Sequence, residues 1–168
     1  MKRRTFTSLV TGLSVAAGLI GTTAMAQDDM RIALVVKALG IGFFEAAAEG
    51  ANEAAAELGN VEIIYTGPTS TTAEGQIEVI NSLIAQGVDA IAISANDPDA
   101  VVPALKRAMD RGITVISWDS GVAEEGRMMH LNPSSTPLIG NTILKLAADH
   151  MPDGGEVAIL SATTTSTN

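Results

Sequence analysis

Cysteine is absent from this 168-residue chain, and with it any disulfide framework or thiolate metal site. Aromatic side chains are scarce: three phenylalanines, one tyrosine and one tryptophan. Basic residues are few, with 10 Lys and Arg against 19 Asp and Glu. So acidic a chain repels phosphate, which makes nucleic acid and anionic lipid poor partners. The two histidines, His130 and His150, lie far apart with no Cys, Asp or Glu at metal-ligand spacing. They read as structural or solvent-facing, and no metal is expected. Enzyme signatures are missing as well. There is no phosphate loop ending in Gly-Lys-Ser/Thr and no Gly-x-Ser-x-Gly elbow. "GIGFFE" begins like a dinucleotide fingerprint at Gly40 and Gly42, but Glu45 takes the third glycine's place. A receiver domain would need paired acids at the end of the first strand, where Lys37 stands. No cofactor is expected.

What is present begins with a leader. Residues 1–26 combine a basic start (Lys2, Arg3, Arg4), an apolar middle interrupted by Thr11, Gly12 and Ser14, and the end Ala24-Met25-Ala26. That is the pattern of a secretory signal peptide cleaved before Gln27. The apolar stretch is short for a membrane span of ~20 residues. Without the leader's three basic residues, seven remain against all 19 acids, a balance of −12. The rest is long enough to bury a core as one ordinary domain or as part of a larger protein.

Strand and helix signals then alternate. "RIALVVK" (31–37) is a continuous apolar run, as expected of a strand covered on both faces. A helix follows in which Phe44, Ala47, Ala48, Ala51, Ala55 and Leu58 share a face, stopped by Gly59-Asn60. "VEIIY" (61–65) is a second strand. The next helix opens on a capping-box pattern, Thr71 to Glu74, buries Ile77, Ile80 and Ile84, and stops at Gly87. "DAIAISA" (89–95) is a third strand, and Asp97 or Asp99 caps the helix after it. Pro103 argues for a late start to that helix. "ITVISW" (113–118) and "RMMHL" (127–131) are further strands, Thr136-Pro137 opens a helix to about Met151, and "EVAILS" (156–161) reads as a last strand. Helical crossovers of this length predict an α/β fold, a parallel sheet with helices on both faces. The stop after 156–161, with no covering helix, reads as the ending of a fragment.

In open parallel sheets ligands bind beyond the carboxyl ends of the strands. Those ends carry Lys37 with Phe43 and Phe44, then Asn96 and Asp97, then Trp118, Asp119 and Ser120, and finally 163–168. Flat rings beside a few hydrogen-bonding groups suit a carbohydrate. Each residue also has a plainer reading. Phe43, Phe44 and Trp118 could pack in the core, Asp119 could be a turn residue, and Asp97 and Asp99 read better as caps. Lys37 is harder to dismiss, because a buried ammonium is costly without a partner.

The segments "RIALVVK…GFFEAAAEGANEAAAELG", "DAIAISANDPDAVVPALKRAMDRGITVISWDSG" and "EVAILSATTTSTN" resemble the periplasmic sugar-binding proteins of ABC transporters, in the ribose-binding-like, type I periplasmic binding protein branch. Within it, Lys37, "YTGPT" (65–69), "WDSG" (118–121) and "HLNPSS" (130–135) are similar to rhamnose-binding proteins, with autoinducer-2 receptors as close relatives. The resemblance implies that Phe43 and Phe44 stack on a sugar and that Asp119 takes its hydroxyls, with Lys37, Asn96, Trp118 and Asn168 as further contacts. Ile41 and Ser120 replace an asparagine and an arginine of the ribose binders, which argues against ribose. Asn168 stands where the autoinducer-2 receptors carry an aspartate, which tilts the expectation toward rhamnose.

The resemblance further implies two lobes around a hinge. Residues 27–131 would form most of an amino-terminal lobe and 132–168 the start of a second, with the crossing near Leu131 to Ser134. The implied function is non-catalytic: a periplasmic receptor, monomeric when full length, that hands a monosaccharide to an inner-membrane ABC permease. A sugar-responsive repressor would need a helix-turn-helix where the leader stands. A secreted sugar-modifying enzyme would need paired carboxylates about 5–9 Å apart, and only Asp119 is a candidate.

Overall fold

The computed structural model describes residues 29–160 and Thr165. The leader and Asn168 lie outside the described residues. Ten elements follow one another: β1 (Met30–Val35), α1 (Gly42–Leu58), β2 (Val61–Thr66), α2 (Ala73–Gln86), β3 (Ala90–Ile93), α3 (Val102–Asp110), β4 (Thr114–Trp118), a 3-10 turn (Glu124–Gly126), β5 (Met129–Leu131) and α4 (Thr136–His150). The five strands form one sheet in the order β2-β1-β3-β4-β5, and every pairing is parallel. This is the α/β architecture that the alternation predicts.

Register sorts the side chains into two layers. Ala33, Val35, Ile91, Ile93 and Val115 meet Ile80, Leu83 and Ile84 of α2 and Leu105 and Ala108 of α3 in one large core. On the opposite face Leu34 and Ala92 pack with Ala48 of α1, flanked by Ile63, Tyr65, Ile116 and Trp118. A strand covered on both faces is apolar along its covered length, which is why 32–36 of the β1 segment and β3 read as unbroken runs.

The helix ends differ from expectation in instructive ways. Gly59 and Gly87 terminate α1 and α2 in the left-handed region, at φ 73° and 65°, as glycine C-caps do. Leu58, placed on the buried face of α1, is instead exposed at the helix's last position. The cap of α2 is Thr72 rather than Thr71: its Oγ1 accepts the Gly75 N–H at 3.2 Å. Glu74 still lies in the first turn, where the helix dipole favours it. Neither Asp97 nor Asp99 caps α3 through its side chain. Asp97 closes its own turn, accepting the Asp99 and Ala100 N–H groups at 3.0 and 2.9 Å, and α3 starts late around Pro103. The expected strand at 156–161 is not formed over its described part, 156–160. A strand exists only by pairing, no neighbour among the described residues supplies its ladder, and Ile159 and Leu160 are 94% and 90% exposed.

Candidate ligand site at the carboxyl edge of the sheet

Each strand of the central trio leaves the sheet with a polar residue. Beyond β1 comes Lys37, beyond β3 come Ser94 and Asn96, and beyond β4 comes Asp119. Parallel strands deliver these ends side by side, since Val35 pairs with Ile93 and Ile93 with Ser117.

Asp119 is the pivot. Among the described residues it is the one non-glycine residue with a positive φ, 55°, a conformation Asp tolerates better than most side chains. Its N–H donates to the Leu131 carbonyl at 3.2 Å, which ties it to β5. Its carboxylate accepts the Ser94 hydroxyl at 2.7 Å and lies 3.9 Å from Lys37 Nζ. Both charged side chains are largely buried, 13% exposed for Lys37 and 11% for Asp119. Burial pushes the Lys37 ammonium below its ordinary pKa, and the Asp119 charge partly restores it. At 3.9 Å the pair is longer than a hydrogen-bonded ion pair.

The aromatics gather beside this pair. Phe43, at the first turn of α1, lies 6.2 Å from Trp118 with the rings 23° apart. Phe44 meets Trp118 edge-on at 5.8 Å and 88°. The adjacent phenylalanines divide the work by helix geometry: Phe44 is 3% exposed beneath the indole, while Phe43 is 56% exposed beside it. Phe43 thus offers an open ring face, and Phe44 supports the platform from below rather than lining its surface.

Asn96 reaches the same edge but is 2% exposed. Its Nδ2 donates to the Lys37 carbonyl at 2.8 Å and the Thr72 carbonyl at 3.2 Å. Most of its amide is therefore committed to tying loops together. Three buried polar atoms have no hydrogen-bond partner among the described residues: Asn96 Oδ1, Trp118 Nε1 and Tyr65 Oη. Native interiors leave few such atoms unpaired, and two of the three belong to residues singled out by position alone.

His130, read as structural or solvent-facing, pairs its Nδ1 with the buried Ser117 hydroxyl at 2.9 Å. It also lines a cleft of about 390 Å³ beside Asp119, together with Gly121, Asn132 and Ser134. Sequence reasoning missed Ser94 and Gln76. Both had a legible signal: Ser94 interrupts an apolar run, and Gln76 sits one turn before Ile80 on the buried face of α2. Among the described residues no cluster of three or more His, Asp or Glu could hold a metal ion.

The fold and this edge place the chain in a known class. Residues 32–168 match the periplasmic binding protein domain, and the chain belongs to that family. A D-ribose/D-allose-binding protein of Pseudomonas aeruginosa is 30% identical over 95% of this chain and 52% of its own length. A solute-binding protein from Clostridium phytofermentas, solved with bound L-rhamnose, superposes with a TM-score of 0.78 at 37% identity, over 83% of this chain and 43% of that one. LsrB from Clostridium saccharobutylicum in complex with AI-2 gives 0.73 at 29% identity, over 82% and 44%. The chain spans about half the length of the curated relatives it matches. The sheet and its helices are thus a type I periplasmic binding protein fold.

Proposed function

We propose that this protein is the substrate-binding component of a sugar ABC transporter. It takes up a monosaccharide in the periplasm, reached through a cleaved leader, and presents it to a permease in the inner membrane. The observation that carries this reading is the grouping of Phe43, Trp118, Lys37 and Asp119 at the carboxyl edge of β1 and β4. A pyranose has apolar C–H faces and a rim of hydroxyls. The Phe43 ring suits the face, the Asp119 carboxylate accepts from hydroxyls, and Lys37 Nζ and Trp118 Nε1 donate to oxygens.

A 6-deoxy sugar of the rhamnose type is the favoured ligand. The rhamnose-bound neighbour supports this, as does the exposed Ile41 beside the aromatic platform, an apolar neighbour for a methyl. The AI-2-bound neighbour supports a second reading of the same site, a receptor for that signal. Residues 27–131 act as the amino-terminal lobe and 132–168 open the second, with Asn168 a further contact. Isothermal titration calorimetry on the receptor decides: L-rhamnose should bind more tightly than D-ribose. Binding of AI-2 without rhamnose moves the ligand to the alternative, and heat from neither ends the assignment.

A further inference from the structure

Gln76 lies wholly inside the protein, 0% exposed, on the first turn of α2. Its side chain makes three buried hydrogen bonds. Nε2 donates to the Val36 carbonyl at 3.1 Å and the Ser94 carbonyl at 2.7 Å, and Oε1 accepts the Asn96 N–H at 2.7 Å. Two carbonyls on one side and an N–H on the other fix which end is oxygen.

The bonds connect to the ligand edge residue by residue. Val36 precedes Lys37, and Ser94 sends its hydroxyl to Asp119. Asn96 carries the amide that holds the Lys37 and Thr72 carbonyls, and its own Oδ1 has no partner among the described residues. Gly75 lets the helix come this near: a Cβ there would meet Pro68 Cβ at 2.8 Å and Thr72 Oγ1 at 3.0 Å. A leucine at position 76 would satisfy the apolar pattern of α2 but would strand two carbonyls and one N–H in a dry interior.

We propose that Gln76 is a positioning residue of the ligand site, a buried amide that sets the ends of β1 and β3 so that Lys37, Asn96 and Asp119 converge on one ligand. It touches no ligand itself and acts through Asn96 and Ser94. The inference rests on the sugar-binding reading for its effect on affinity, but not for its effect on the strand ends.

The test uses the full chain and two variants. Gln76→Met keeps length and burial but loses all three bonds. Leu83→Ala, farther along the same helix, destabilises the core and leaves the network intact. Sugar affinity is read by titration with L-rhamnose, D-ribose and L-arabinose, and local order by amide hydrogen exchange. Gln76→Met should weaken binding by about tenfold or more and accelerate exchange at Asn96 far beyond its effect on Ile91 and Val115. Leu83→Ala should keep affinity within about twofold, as expected of an independent site. Wild-type affinity together with protected Asn96 exchange in Gln76→Met would overturn the proposal, as would equal affinity losses in both variants. Should the wild type bind none of the sugars, the functional reading fails alone and the exchange comparison still decides the role of Gln76.

Discussion

Helices α2 and α4 are nearly equal in length, 14 and 15 residues, and both carry apolar side chains at helical spacing. α2 buries Gln76, Ile80, Leu83 and Ile84, whereas α4 buries none. Each has a proper start: Thr72 caps one and Ser135 the other. α4 adds a Lys145–Asp149 pair one turn apart at 2.8 Å, which contributes only a few tenths of a kcal/mol. Helix formation is therefore a local matter here, and burial is not. α2 lies against strands already paired, while Leu138, Ile143, Leu144 and Leu146 of α4 face outward. Residues 30–131 hold the core and the candidate site together, and residues 132–160 hold neither a core nor a strand.

The largest expected effect separates these regions by stability. Leu105→Ala should cost about 2–5 kcal/mol, the range for a buried leucine, whereas Leu144→Ala should stay within about 0.5 kcal/mol. Urea denaturation of both variants measures this, and equal losses would erase the contrast. Next in size is binding. Asp119→Asn keeps the left-handed backbone tolerable and removes the charge that faces Lys37 and Ser94. It should weaken sugar binding by about 1.5–3 kcal/mol, while Leu146→Ser in α4 leaves it unchanged in calorimetry. Smaller still is Phe43→Ala, with about 0.5–1.5 kcal/mol lost from stacking and almost no change in melting temperature, because the ring is more than half exposed.

The smallest effect is a slope with pH. Lys37 has a folded-state pKa below its ordinary 10.5, so between the two values the unfolded chain binds more protons. Stability should therefore rise with pH as 10.5 is approached. Tyr65 is raised above 10.0 by burial and by Glu45, which works in the opposite sense only above that value. Denaturation from pH 8 to just below 10 should show the rise in the wild type, and Lys37→Met should flatten it. An unchanged slope in the variant would remove the buried ammonium from the account.

Much of this was readable in advance, for reasons that differ by residue. The strands at 31–37 and 89–95 were legible because burial on both faces demands an unbroken apolar run. The grouping of Lys37, Trp118 and Asp119 was legible because parallel strands bring their carboxyl ends to one edge of the sheet. The split between Phe43 and Phe44 was only half legible, since neighbours on a helix point about 100° apart but the sequence does not name what each meets. Asn96 was placed at the right edge, but its burial was not legible, because its amide partners come from two distant loops. The segment 156–160 was misread for a related reason: its apolar pattern suits a strand, but pairing depends on a neighbour that local pattern cannot supply.

Trp118 is the only tryptophan in the chain, so its indole N–H gives one unambiguous nuclear magnetic resonance signal, and that proton is buried without a partner among the described residues. Titrating L-rhamnose into the labelled chain and following this signal tests the central claim most directly. The account predicts a saturable shift that moves in step with the Lys37 and Asn96 amides, leaves the amides at the far end of α4 (146–150) still, and disappears in Asp119→Asn. An indole signal indifferent to every sugar in a folded protein, or one that shifts only together with α4, would contradict it.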